Sequence, residues 1–180
     1  MPWEATALLW IQTHLRSETL TRIFVPFTHL GDSGMLFIVF GVLLFCIPKT
    51  RKVGLGILTA LLIGALITNV TLKPLVNRTR PWVVIEQLHV LVDSGAGDPS
   101  FPSGHTTAAF AFAGAVLFSG IKKGGKILAL LLAVLMGFSR LYVGVHYPTD
   151  VLGGIAVGLF AGRLAQQIWK NKKMYKKSSS

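Results

Sequence analysis

The chain is poor in the residues that soluble domains turn toward water. Charged side chains make up 14% of its 180 residues, against about 25% in soluble domains. Acids are the scarcest: seven Asp and Glu stand against eighteen Lys and Arg, a formal net charge of +11. There is one cysteine, Cys46, inside an apolar run. A lone thiol excludes an internal disulfide, and no Cys/His cluster has zinc spacing. Hydrophobic residues reach 52% and the mean hydropathy is +0.60, which excludes disorder and a collagen-like fibre as well as an ordinary soluble globule. The length suits one domain. The basic surplus suits nucleic acid or an anionic membrane surface, and the apolar content selects the membrane.

What is present is a series of apolar runs. A bilayer core needs about 20 mostly apolar residues per helix, and five candidates occur: Ser33 to Ile47, Val53 to Leu72, Gly104 to Ser119, Ile127 to Tyr142 and Val151 to Trp169. The expected fold is therefore all-α, a polytopic membrane bundle of about five transmembrane helices (residues 32–169). Residues 1–31 do not read as a cleavable signal, because no basic stretch precedes an apolar core. Trp3, Ala7, Trp10, Ile11 and Leu15 share one helical face, away from Glu4, Gln12, Thr13 and Arg16; Leu20, Ile23, Phe24 and Phe27 share another. Two interfacial amphipathic helices are expected there, a short first span being the alternative.

Orientation follows from the basic connections. Lys49, Arg51 and Lys52 join the first two runs, Lys122, Lys123 and Lys126 join the third and fourth, and a tail (170–180) carries Lys170, Lys172, Lys173, Lys176 and Lys177. These stretches hold no acid, so the positive-inside rule puts them in the cytoplasm, C-terminus included. Most of the net charge is then topology and contact with anionic lipid, with no nucleic-acid partner.

Costly polar residues gather at the other membrane face. Lys73 and Arg80 follow the second run, Ser103, Gly104 and His105 open the third, Arg140 ends the fourth, and His146 and Asp150 precede or open the fifth. Cations beside apolar helices face a bundle interior or a polar cavity, and several converging call for an anion. Arg matches phosphate oxygens with a planar fork, Lys adds a compact charge, and Gly104 at a helix start leaves backbone N–H groups free to approach. Metal-free phosphate hydrolysis needs a nucleophile, a proton donor and charge-stabilising donors. A neutral histidine oriented by a carboxylate four residues away fits the first role, as His146 and Asp150 allow.

Three motifs carry this set: Lys73-Pro-Leu-Val-Asn-Arg-Thr-Arg80-Pro81, Pro102-Ser103-Gly104-His105, and Ser139-Arg140 followed by His146 and Asp150. Together, in order and at these spacings, they resemble the phosphatidic-acid phosphatase type 2 superfamily of membrane phosphatases. The resemblance implies that His146 is the nucleophile forming a phosphohistidine, that Asp150 orients it, and that His105 protonates the leaving group. Lys73, Arg80, Ser103, Gly104 and Arg140 are implied to hold phosphoryl oxygens, with no metal and no cofactor. The compact layout is similar to bacterial undecaprenyl-diphosphate phosphatases, acting at the outer face of the plasma membrane. Phosphatidylglycerophosphate and phosphatidate stay open as substrates, as does a non-catalytic lipid-phosphate binding or transport protein. Outside the motifs, Arg78 reads as a surface or headgroup contact, Asp93 and Asp98 as solvated loop residues with gating of the lipid headgroup as the alternative, His14, His29 and His89 as structural, and Gly154, Gly158 and Gly162 as a helix-packing stripe.

Overall fold

The computed structural model of the chain describes residues 2–95 and 97–178. Among these, every regular element is helical: α1 (Pro2–His14), α2 (Glu18–His29), a 3-10 turn (Asp32–Gly34), α3 (Met35–Cys46), α4 (Arg51–Ala65), a π turn (Leu66–Leu72), α5 (Lys73–Val76), α6 (Pro81–Val84), α7 (Gly104–Leu117), α8 (Lys123–Tyr142) and α9 (Pro148–Ser178). The side chains of the basic tail expected over 170–180 lie, beyond Lys170, outside the described residues.

The bundle is organised around α7. Its sequence from Thr106 to Val116 is almost entirely Ala, Gly, Thr and Phe, and ten of its residues are buried. Small side chains let neighbouring backbones come close, which is how helices associate where lipid removes the hydrophobic drive between them. The partner is α9, whose Gly154, Gly158 and Gly162 lie directly against α7. A Cβ at Gly158 would sit 2.7 Å from the Ala111 nitrogen and the Thr107 carbonyl oxygen. The expected packing stripe is thus in place. Phe37 of α3, Ile57 and Ala60 of α4 and Met136 of α8 complete this core. Outward residues such as Val39 and Leu43 of α3 and Leu131 and Leu135 of α8 stay exposed, an apolar belt suited to lipid.

Three stretches are long and apolar enough to cross a bilayer: Arg51–Val84, Lys123–Tyr142 and Pro148–Lys170. Glu18–His29 and Asp32–Cys46 qualify only as a pair bent by 53°. Helix α7 has 14 residues, about 21 Å at 1.5 Å per residue, less than the roughly 30 Å hydrocarbon core. Helix length therefore supports three crossings, or four with the bent pair, rather than five complete spans. The shortfall has a physical reason: α7 is enclosed by its neighbours and does not need a lipid-matched length.

The chain direction of α4, α7, α8 and α9 brings the end of α4, the start of α7, the end of α8 and the start of α9 to one end of the bundle. The α3–α4 and α7–α8 connections, with Lys49, Arg51, Lys122 and Lys123, lie at the other. Helix α4 runs through the π turn, a local widening often found at functional sites, and delivers Lys73. Asn77 then takes a left-handed conformation (φ 44°) that ends the helix, a conformation Asn tolerates. Gly144, at φ 84°, makes the turn from α8 toward α9, where a side chain would be strained.

Helix α1 buries part of the face expected to be polar. Glu4, Leu8 and Ile11 are the buried residues, whereas Trp3 and Trp10 are exposed. The buried stripe is thus rotated so that the acid points inward, because Glu4 has cationic and hydroxyl partners waiting beneath it.

Candidate active site

Each segment reaches the site by a local device. Ser103 caps α7: its Oγ accepts from the Thr106 backbone N–H at 3.4 Å and from Thr106 Oγ1 at 3.0 Å. Its own N–H donates to the Asp150 carbonyl at 3.0 Å, which locks the start of α7 to the start of α9. His105 follows in the first turn. Arg140 ends α8, and His146 sits in the connection to α9.

His146 is buried, with Nδ1 3.5 Å from Asp150 Oδ2. At that distance no hydrogen bond is formed; such contacts tighten in complexes with substrate. Its Nε2 lies 3.3 Å from Arg80 Nη1. Burial pushes the His146 imidazole down to about 4, with Arg140 and Arg80 adding to the effect and Asp150 opposing it. The ring is therefore neutral near pH 7, with Nε2 turned toward the cations. Asp150 is fully buried and satisfied: Oδ2 accepts from the Tyr147 N–H at 2.8 Å, and Oδ1 accepts from Arg78 Nη1 at 2.8 Å.

The cations form two groups. Lys73 Nζ donates to both Asp98 carboxylate oxygens at 2.7 and 2.6 Å. Arg80 donates through Nη2 to Asp98 Oδ2 at 2.6 Å, through Nε to the Asp98 carbonyl at 2.9 Å and through Nη1 to the Val145 carbonyl at 3.1 Å. Arg140, only 4% exposed, donates through Nη1 to Thr28 Oγ1 at 2.6 Å, while its buried Nε has no protein partner among the described residues. A buried donor left open in this way is a position for a ligand oxygen.

One cavity of about 800 Å³ joins these groups. Lys73, Arg80, Gly104, His105, Arg140 and His146 line its polar part together with Asp32, Asp93 and Asp98, and Ile38, Leu58, Leu61, Leu62 and Ala65 form an aliphatic side. Of the residues expected from the sequence, Ser103 and Asp150 do not line it: Ser103 is turned inward as the cap, and Asp150 stands behind His146. A Cβ added to Gly104 would meet nothing within 4 Å, so the backbone there is open to approach.

Five contributors escaped the sequence reading. Asp32 Oδ1 lies 2.9 Å from His105 Nε2, and its Oδ2 lies 2.9 Å from His29 Nδ1. Arg78 is not a surface contact. It joins Asp150 to Glu4, donating through Nη2 to Glu4 Oε2 at 2.7 Å, and its guanidinium lies 3.8 Å above the Tyr147 ring. Glu4 Oε1 in turn accepts from Thr149 Oγ1 at 2.6 Å and from the Thr149 N–H at 3.1 Å. Asp98 is likewise no merely solvated loop residue, since it pairs with both Lys73 and Arg80. Thr28 supplies the hydroxyl on Arg140. The signal available beforehand was cost: Glu4 and Asp32 are two of only seven acids, each placed beside apolar helix.

Helices long and apolar enough to cross a membrane close around a cavity that carries Lys73, Arg80, Arg140, His105 and His146, the arrangement of an integral membrane protein with an anion-binding, histidine-bearing site. The chain belongs to the PAP2 superfamily, whose family model matches residues 53–174. It is similar to the undecaprenyl-diphosphatase BcrC of Bacillus subtilis, 36% identical over 152 residues that make up 82% of this chain and 74% of the relative. Two solved structures share the fold. LpxE of Aquifex aeolicus superposes with a TM-score of 0.78 at 31% identity, covering 89% of this chain and 92% of that one. A transmembrane PAP2-type phosphatidylglycerolphosphate phosphatase from Bacillus subtilis superposes with a TM-score of 0.77 at 30% identity, covering 94% and 86%.

Proposed function

We propose that the protein hydrolyses the terminal phosphate of a membrane lipid phosphate or diphosphate, with undecaprenyl diphosphate as the leading substrate, through a phosphohistidine and without metal. The observation that carries this reading is a cavity that holds Lys73, Arg80, Arg140, His105 and His146, with Asp32 and Asp98 paired to members of this set, and that has an aliphatic side of Ile38, Leu58, Leu61, Leu62 and Ala65. A phosphate headgroup fits the basic set and a lipid chain the aliphatic side. The diphosphate preference is supported by the likeness to the Bacillus subtilis undecaprenyl-diphosphatase. A glycerolipid phosphate is the second reading, favoured by the superposition on the phosphatidylglycerolphosphate phosphatase.

In the first step His146 Nε2 attacks phosphorus, the bond from phosphorus to the leaving oxygen breaks, and His105 gives that oxygen its proton. Asp150 keeps the proton on Nδ1 and compensates the imidazolium charge. Arg80, Lys73, Arg140 and the Gly104 backbone hold the phosphoryl oxygens. In the second step His105 takes a proton from water, the new oxygen attacks phosphorus, the phosphorus–nitrogen bond breaks, and inorganic phosphate leaves. Ser103 acts in this scheme by fixing the start of α7.

The topology we propose counts α3 and the enclosed α7 with the three long stretches, making five crossings within residues 32–169, the phosphatase unit. It leaves α1 and α2 interfacial. The active site then faces away from the cytoplasm and the C-terminus into it. This is supported by the Lys- and Arg-bearing connections at the opposite end of the bundle.

The test is phosphate release by purified protein in detergent with EDTA present, comparing undecaprenyl diphosphate, phosphatidylglycerophosphate and phosphatidate. The expected result is release fastest from the diphosphate and lost in His146→Ala, with ³²P retained on the parent protein after acid-free quenching of a terminally labelled substrate. Near-parental activity in His146→Ala rejects the mechanism, and a glycerolipid preference moves the substrate to the second reading.

A further inference from the structure

We propose that Asp98 is an internal anion that competes with phosphate for the Lys73–Arg80 cradle, seated there between turnovers and displaced when a phosphoryl group binds. The inference rests on the phosphatase reading of the site and adds to it a residue outside the three motifs.

The geometry is that of a ligand. Both Asp98 oxygens lie on Lys73 Nζ, at 2.7 and 2.6 Å, and one also takes Arg80 Nη2 at 2.6 Å. A delocalised carboxylate presented to an ammonium and a guanidinium fork matches what two phosphoryl oxygens present to the same donors. The two cations and the anion differ in freedom. The Arg80 and Lys73 side chains are 5% and 13% exposed, whereas that of Asp98 is 48% exposed. Arg80 is also anchored to the Val145 and Asp98 carbonyls. Asp98 is thus the partner able to leave, by turning its carboxylate into water, while the cations stay. Lys73 and Arg80 together hold the Asp98 carboxyl below the usual range against its partial burial, so it stays ionised at neutral pH.

A carboxylate carries one negative charge and a terminal phosphoryl group up to two, so the incoming phosphate prevails in direct exchange. The consequence falls on both ends of the cycle. Asp98 weakens ground-state binding of every phosphate anion, and its return offsets the attraction that would otherwise retain inorganic phosphate.

The experiment compares the parent protein with Asp98→Asn and Asp98→Ser, both at an exposed loop side chain. Inorganic phosphate is the probe, read as its inhibition constant for lipid-phosphate hydrolysis and as phosphate-dependent thermal stabilisation in detergent. Loss of one charged competitor is expected to tighten inorganic phosphate about tenfold and to lower KM, with kcat unchanged or reduced by slower product release. Weaker phosphate binding and a raised KM would instead make Asp98 a fixed part of the cradle that positions Lys73 and Arg80, and would overturn the proposal. Unchanged phosphate binding in both variants would overturn it too. Failure of the phosphatase reading is separable, because the stabilisation by inorganic phosphate is measured on protein that turns over no lipid.

Discussion

Replacing Glu4 by alanine tests whether the N-terminal helix is built into the site. Glu4 is fully buried and accepts from Arg78, from the Thr149 hydroxyl and from the Thr149 N–H. Breaking a buried ion pair by removing one partner costs about 3–5 kcal/mol. Here the remaining partner is better off than that, because Arg78 keeps Asp150 and Thr149 and its side chain is 22% exposed. A loss of about 2–3 kcal/mol follows, part of it from the two Thr149 donors left dry. For a domain of this size such a loss lowers the melting temperature by about 4–12 °C. The assay is thermal unfolding in one detergent at fixed protein concentration, with Glu4→Asp and the exposed Glu18→Ala alongside. Glu4→Asp should recover part of the loss, and Glu18→Ala should lie near the parent, because its pair with Arg22 is solvent-exposed and worth little. A Glu4→Ala protein melting within a degree of the parent would refute the buried network and return Glu4 to the polar face of an interfacial helix.

Two further outcomes follow from the geometry. His146, depressed to about 4 from an ordinary value of about 6.5, should stay nucleophilic through mild acid, so the acid limb of phosphohistidine formation should fall near pH 4. Because the unfolded chain takes up that proton near 6.5 and the folded one does not until about 4, stability should decline as pH drops through this window; a nucleophile limb at 6.5 would contradict the burial described. Gly158→Ala would drive a methyl to 2.7 Å from α7 backbone, an overpacking cost at the upper end of about 1–3 kcal/mol. It should lower both melting temperature and kcat by shifting His105, whereas Gly124→Ala, with nothing within 4 Å, should leave both unchanged.

Much of this site could be read from spacing because its chemistry is local in the chain. A histidine and an aspartate four residues apart, or a Ser-Gly-His at a helix start, bring their geometry with them, and the cations announced themselves by standing beside apolar runs. The packing stripe of α9 was legible for the same reason, since its period is that of the helix. What stayed hidden was pairing across the chain. Arg78 meets Glu4 over a separation of 74 residues, and Asp32 meets His105 over 73; no periodicity within one helix encodes either. The inward rotation of α1 follows from the first of these contacts, which hydrophobic patterning weighs as a penalty rather than an attraction. Counting by helix length alone reaches three or four crossings, because an α7 shielded by protein need not match the bilayer.

The mixed lining of the cavity has a consequence for how the protein must be measured. Ile38 and Leu62 line the cavity and are 43% and 61% exposed, so its aliphatic side is open. On the proposed function, a ligand with a hydrocarbon tail arrives through that side, from the lipid phase, rather than down from the water. Its working concentration is then a mole fraction in the surrounding film, and encounter is a two-dimensional search. Added detergent should act as a diluent even when the substrate per millilitre is constant, so apparent KM values should collapse onto one curve only when plotted against surface composition.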